Sequence, residues 1–147
     1  MITIRIQNED FDIGAEIAKL GHDGTGAVAT FTGFVRPDGG LGALILEHYP
    51  QMTEREIARI AEDAQTRWPL LGVTIIHRVG RLAPGEKIVF VAVAAAHRGA
   101  AFQACEFLMD YLKTKAPFWK QEERAAATTW VEARHSDEQA AGRWRKE

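Results

Sequence analysis

One cysteine in 147 residues, Cys105, is too few for an internal disulfide or for a multi-cysteine zinc or iron-sulfur site, and it suits a reducing compartment. Charge of one sign is also scarce. Eighteen Lys and Arg stand against twenty Asp and Glu, a formal net charge of -2, so no global field draws the chain to nucleic acid or to an anionic membrane. Any anion site must be local. Long apolar runs are missing too: the longest candidate, Val89 to Ala96, stops at His97-Arg98, far short of the roughly 20 residues a membrane-spanning helix needs. The first residues, Met1 to Gln7, alternate apolar and polar side chains and lack the apolar core and cleavage site of a signal peptide. These absences lead us to expect a soluble protein of the cytoplasm, with no nucleic-acid and no membrane partner.

What is present is enough apolar content, 46%, for one filled core, and the expectation is a single domain over residues 1-147. After the strand to Gln7, Ile13, Ile17 and Leu20 fall on one side of a short helix closed by Gly21-His-Asp-Gly24. Gly26 to Thr32 reads as a buried strand, followed by a loop to Gly42 and a strand over Ala43 to Tyr49. Thr53-Glu-Arg-Glu56 matches a capping box, with a helix to about Trp68 carrying Ile57, Ile60, Ala61 and Ala64 as its apolar stripe. Val73 to Val79 and Lys87 to Ala96 read as an antiparallel hairpin around Pro84-Gly85. A long helix follows over Gly99 to Ala116, then a last strand over Thr128 to Ala133 and a polar tail, Asp137 to Arg145, with helical character. The order β-α-β-β-α-β-β-α-β is that of an α+β sandwich.

The residues suited to chemistry cluster late in the chain. Asp110-Tyr-Leu-Lys-Thr-Lys-Ala-Pro-Phe-Trp-Lys120 holds three amines, a proline break and the aromatic pair Phe118-Trp119. A lysine becomes a nucleophile, base or acyl acceptor where burial and neighbouring cations lower its pKa, which singles out Lys113 and Lys120; an ordinary basic helix end is the other reading. Lys115, two positions from Lys113, should point elsewhere. His97 and Arg98, at the strand-to-helix junction, suit either an anion pocket or a capped helix with a surface ion pair. Arg36, at a strand exit before Pro37, and Arg134, at the end of Trp130-Val-Glu-Ala-Arg134, each read alone as plain surface arginines, whereas together with His97-Arg98 they could converge on a phosphate. Glu47-His48-Tyr49 has no second ligand at metal spacing and reads as structural, and His77 and Arg78 face opposite sides of a strand. Cys105, among Phe102, Leu108 and Met109, reads as a small hydrophobe, and Gly24-Thr-Gly26 lacks the lysine of a P-loop. No metal and no cofactor is expected.

With those residues assembled, the chain resembles the large, catalytic subunit of molybdopterin synthase, the MoaE family, over nearly its full length. The resemblance rests on Phe31-Thr-Gly-Phe-Val-Arg36, Leu46-Glu-His-Tyr-Pro-Gln-Met-Thr-Glu54, Ile76-His-Arg-Val-Gly80, Ala96-His-Arg-Gly-Ala-Ala-Phe102, the Met109 to Lys120 block and Trp130-Val-Glu-Ala-Arg134. It implies an α/β hammerhead-type fold with an additional small antiparallel β subdomain. It also implies a homodimer within a heterotetramer that carries a small ubiquitin-like sulfur-carrier subunit at each end. The carrier's C-terminal Gly-Gly thiocarboxylate gives sulfur to cyclic pyranopterin monophosphate, the pterin substrate, and two transfers build the dithiolene of molybdopterin. By resemblance Lys113 lies beside the carrier's terminal carbonyl and Lys120 assists substrate binding and proton transfer. Arg36, His97, Arg98 and Arg134 match pterin- and phosphate-binding positions, with His97 and Arg98 reaching across the dimer, and Phe31 and Met109 shape the pocket. The loop Pro37 to Gly42 is shorter than in many relatives and lacks an asparagine found there, and Phe34 stands where some relatives have lysine.

Overall fold

The computed structural model describes residues 1-37, 39-124, 128-131 and 135-144. In chain order its elements are β1 (Ile2–Gln7), α1 (Ile13–Leu20), β2 (Ala27–Phe34), β3 (Leu41–His48), α2 (Met52–Arg67) and β4 (Leu70–Arg78). Then come β5 (Gly80–Leu82), β6 (Lys87–Ala95), α3 (Arg98–Thr114), β7 (Phe118–Arg124), β8 (Thr128–Val131) and α4 (His135–Gly142). The architecture is α+β, with two four-stranded sheets ordered β1-β4-β6-β2 and β5-β3-β7-β8. The second, wholly antiparallel sheet is the smaller β unit expected beside the main one.

The unbroken apolar run of β6 follows from its place inside the first sheet. It pairs antiparallel with both β2 and β4 and is covered on both faces. Val89, Val91, Val93 and Ala95 face α2 and α3, meeting Ile57, Ile60, Ala61, Ala64, Ala104 and Leu108. The alternate residues Phe90, Ala92 and Ala94 face α1 with Phe11 and Leu20. A third cluster, Val35, Leu46 and Leu82 with Ile88, joins the two sheets. Gly26 has a specific task at the end of β6: its N–H donates to the Ala95 carbonyl at 3.0 Å, and an added Cβ would overlap the Ala96 carbonyl oxygen. The junction that launches His97 and α3 therefore tolerates no side chain there.

Several local expectations are corrected. The helix α2 begins at Met52, so the reciprocal cap uses Gln51 and Glu54, the Glu54 Oε2 accepting the Gln51 N–H at 2.9 Å. Thr53 does not cap. It is fully buried, and its hydroxyl accepts the Tyr49 N–H and donates to the Pro117 carbonyl, both at 3.0 Å. The long helix ends at Thr114 rather than Ala116, whose neighbour Pro117 disfavours helical backbone before it. Gly80–Leu82 and Phe118–Arg124 form strands not anticipated from the sequence. The second carries no apolar alternation beyond Trp119, and it is a strand because β3 and β8 supply ladder partners on both its edges. The last expected strand is described over Thr128–Val131, its final residues Glu132 and Ala133 lying outside the described residues, and the tail helix is described over His135–Gly142.

Candidate functional site

The strand β7 brings the most chemistry together. Its ladder sets Phe118 opposite His48 and Lys120 opposite Leu46, and cross-strand partners share a sheet face, so these four stand on one side. That side is the inward one. Leu46 belongs to the cluster that joins the sheets, and Phe118 packs against the core under α3. Trp119 points outward, where its ring meets Tyr49 at a centroid distance of 4.0 Å. Lys120 is exposed at the rim of the inward face, two residues beyond Phe118.

From the end of β4 the His77 imidazole stacks on the Phe118 ring, with centroids 3.9 Å apart and planes 18° from parallel. Its Nδ1 lies 2.8 Å from the Arg78 carbonyl oxygen, to which Nδ1–H donates, leaving Nε2 as the unprotonated nitrogen. Burial pushes the His77 pKa down to about 4, the Arg78 bond opposes this, and the nearby charges of Lys120 and His48 push it further down. The ring is neutral near pH 7. His48 Nε2 stands 3.5 Å from Glu54 Oε1, so a carboxylate borders the same corner.

The structure gives each expected site residue a definite place. Lys113 lies in the last turn of α3 and Lys120 in β7, so the two flank the passage through Pro117 rather than sharing a helix end; both are exposed. Met109, one helical turn before Lys113, is 8% exposed and part of the main core. Phe31, 38% exposed, pairs with Val91 and by alternation shares the α3-facing side of β2 with Ala29. Arg36 is exposed and directly follows Val35, which packs in the cluster containing Leu46, the ladder partner of Lys120. His97 caps α3 through its backbone, with no side-chain capping bond, and both it and Arg98 are exposed. Arg98 and Lys113 stand at opposite ends of α3, roughly 22 Å apart along its axis at the standard helical rise. One copy of the chain therefore does not unite them. Arg134 lies outside the described residues.

Sequence reasoning set His77 aside because its neighbour Arg78 faces away. That separation holds, since Arg78 reaches instead to the carbonyl oxygens of Asn8 and Lys87. The contact that matters joins His77 to Phe118, forty-one positions later, and no local pattern announces it. Among the described residues, no group of three His, Cys, Asp or Glu side chains is placed to hold a metal ion.

Comparison with known proteins agrees along the whole chain. A family model described as MoaE protein matches residues 6–115. The molybdopterin synthase catalytic subunit of Mesorhizobium japonicum is 57% identical, over 97% of this chain and 93% of its own length. The molybdopterin biosynthesis MoaE protein from Burkholderia ambifaria superposes with a TM-score of 0.87 at 52% identity, covering 100% of both chains. The molybdopterin synthase structure from Staphylococcus aureus superposes with a TM-score of 0.81 at 30% identity, covering 86% of this chain and 95% of the other.

Proposed function

This chain belongs to the MoaE family, and from that premise we propose that it is the catalytic subunit of a molybdopterin synthase, a cytoplasmic sulfurtransferase of molybdenum cofactor biosynthesis acting as one domain over residues 1-147. It moves sulfur from the C-terminal thiocarboxylate of a small ubiquitin-like carrier subunit to cyclic pyranopterin monophosphate.

One observation carries the need for an imported donor. Cys105 is 7% exposed within α3, and burial pushes its thiol up to about 11, so it stays protonated and unreactive at neutral pH. The sulfur arrives on a partner. The thiocarboxylate sulfur bonds to a pterin carbon as an oxygen substituent leaves that carbon, joining carrier and pterin as a thioester. Water then adds to the acyl carbon, its bond to sulfur breaks, and the carrier departs as a carboxylate with the sulfur left on the pterin. Negative charge builds on the acyl oxygens, and a positioned ammonium lowers its cost. Lys113 serves the carrier's terminal carbonyl, and Lys120 serves the substrate and its proton transfers. Arg36 and Arg134 grip the phosphate through planar guanidinium groups, and Phe31 and Met109 bound the pterin.

The span of α3 supports a second copy in the assembly, because His97 and Arg98 can join a site built around Lys113 only from a neighbouring protomer. The working unit is a homodimer carrying two carriers, a heterotetramer. The test mixes the purified chain with thiocarboxylated carrier and cyclic pyranopterin monophosphate and follows molybdopterin. Wild type should form product, and Lys113→Ala should lose most turnover while unfolding at the same temperature. Full activity in that variant rejects the lysine assignment. A carrier shortened by its two terminal glycines should bind more weakly by calorimetry.

A further inference from the structure

We propose that His77 is a positioning residue for Lys120, acting through the Phe118 ring on the strand segment that presents the amine. The proposal rests on the reading of Lys120 as an acting residue. Lys120 is exposed, and the backbone from Pro117 to Lys120 sets where its side chain starts. Besides the β-ladders, contacts from outside the second sheet bear on that backbone, among them the Tyr49 ring on Trp119 and two on the inward side. The Thr53 hydroxyl holds the Pro117 carbonyl, and the His77 ring lies against Phe118.

His77 faces the side of β4 where Val73 and Ile75 enter the apolar core, a position that ordinarily suits an aliphatic residue. An imidazole there loses hydration and has to serve some purpose that an aliphatic chain does not. The Arg78 carbonyl sets the plane of the ring, and that plane sets the plane of Phe118. Ladder partnership then carries the alignment to His48, and the pleat carries it to Lys120 on the same face. The neutral ring adds no cation beside Lys120 and His48, whose charges already act on it. Flat, rigid and uncharged, it aligns the strand without competing for the anionic substrate.

The test uses the full synthase with its carrier. His77→Leu keeps volume and removes the ring; His77→Phe keeps a ring. The expected result is a fall in kcat of about ten- to a hundredfold for His77→Leu, with KM for the carrier unchanged, and recovery of part of that loss in His77→Phe, whose ring lacks the bond to the Arg78 carbonyl. Wild-type kcat in His77→Leu, a loss confined to KM, or an equal loss in both variants would each overturn the proposal. If His77→Leu fails to fold, Phe118→Leu removes the same stack from the other side and carries the same expectation. Lys120→Ala separates the two levels. Full turnover there sinks the reading of Lys120 itself, whereas a crippled Lys120→Ala beside a normal His77→Leu sinks only the role of His77.

Discussion

Replacing His77 with phenylalanine should make the protein less sensitive to acid. In the folded chain the imidazole pKa is down at about 4 against an ordinary 6.5, chiefly because the ring is buried. Above pH 6.5 the ring is neutral whether the chain is folded or not, and its contribution to stability is fully present. As pH falls from 6.5 through about 4 the unfolded chain takes up a proton that the folded one refuses, and stability is lost. The full difference is worth about 3 kcal/mol, a large share of the roughly 5–15 kcal/mol that holds a domain folded. Most of it is gone by pH about 4.5. Phenylalanine keeps the stack on Phe118 and does not titrate, though it leaves the Arg78 carbonyl without its donor, a pH-independent cost of about 1–3 kcal/mol. Urea unfolding at pH about 7 and about 4.5, at one protein concentration, gives the needed values. Wild type should lose about 2–3 kcal/mol more than His77→Phe between the two pH values. Equal losses would show that His77 is not held neutral by burial.

Thr53→Val should destabilise by about 1–3 kcal/mol in chemical denaturation, because it removes the partner of the part-buried Tyr49 N–H and Pro117 carbonyl at once. Gly26→Ala should lower the melting temperature, at a cost of about 1–3 kcal/mol, since its Cβ collides with the Ala96 carbonyl between β6 and α3. Cys105 should react with iodoacetamide at mildly alkaline pH about a hundredfold more slowly than in the unfolded chain, reflecting a thiol pushed up to about 11; equal rates would show the helix opening readily.

Much of this molecule is readable along the chain. The alternating faces of β6, the apolar stripe of α2 and the turn at Pro84-Gly85 are local signals, because helix and strand periods act over a few residues and a buried strand must be apolar on both sides. The candidate site was legible as residue types, in Lys113, Lys120, Arg36, His97 and Arg98, and the family emerged from their ordered blocks. Their grouping was not. Lys120 reads as the trailing end of a helix, yet it belongs to a strand whose state depends on Leu46 and Val131 across two ladders.

Composition, periodicity and motif order by themselves determined the α+β class, the absence of a cysteine able to carry sulfur, and the family. Tertiary structure alone decided that Lys120 sits in a strand laddered to β3 and β8 while Lys113 ends α3, and that His77 lies under Phe118. The physical reason is one of range. Backbone preference and amphipathic spacing are set by near neighbours in the chain, whereas stacking, burial and a shifted proton equilibrium depend on which distant segments the packed core brings into contact.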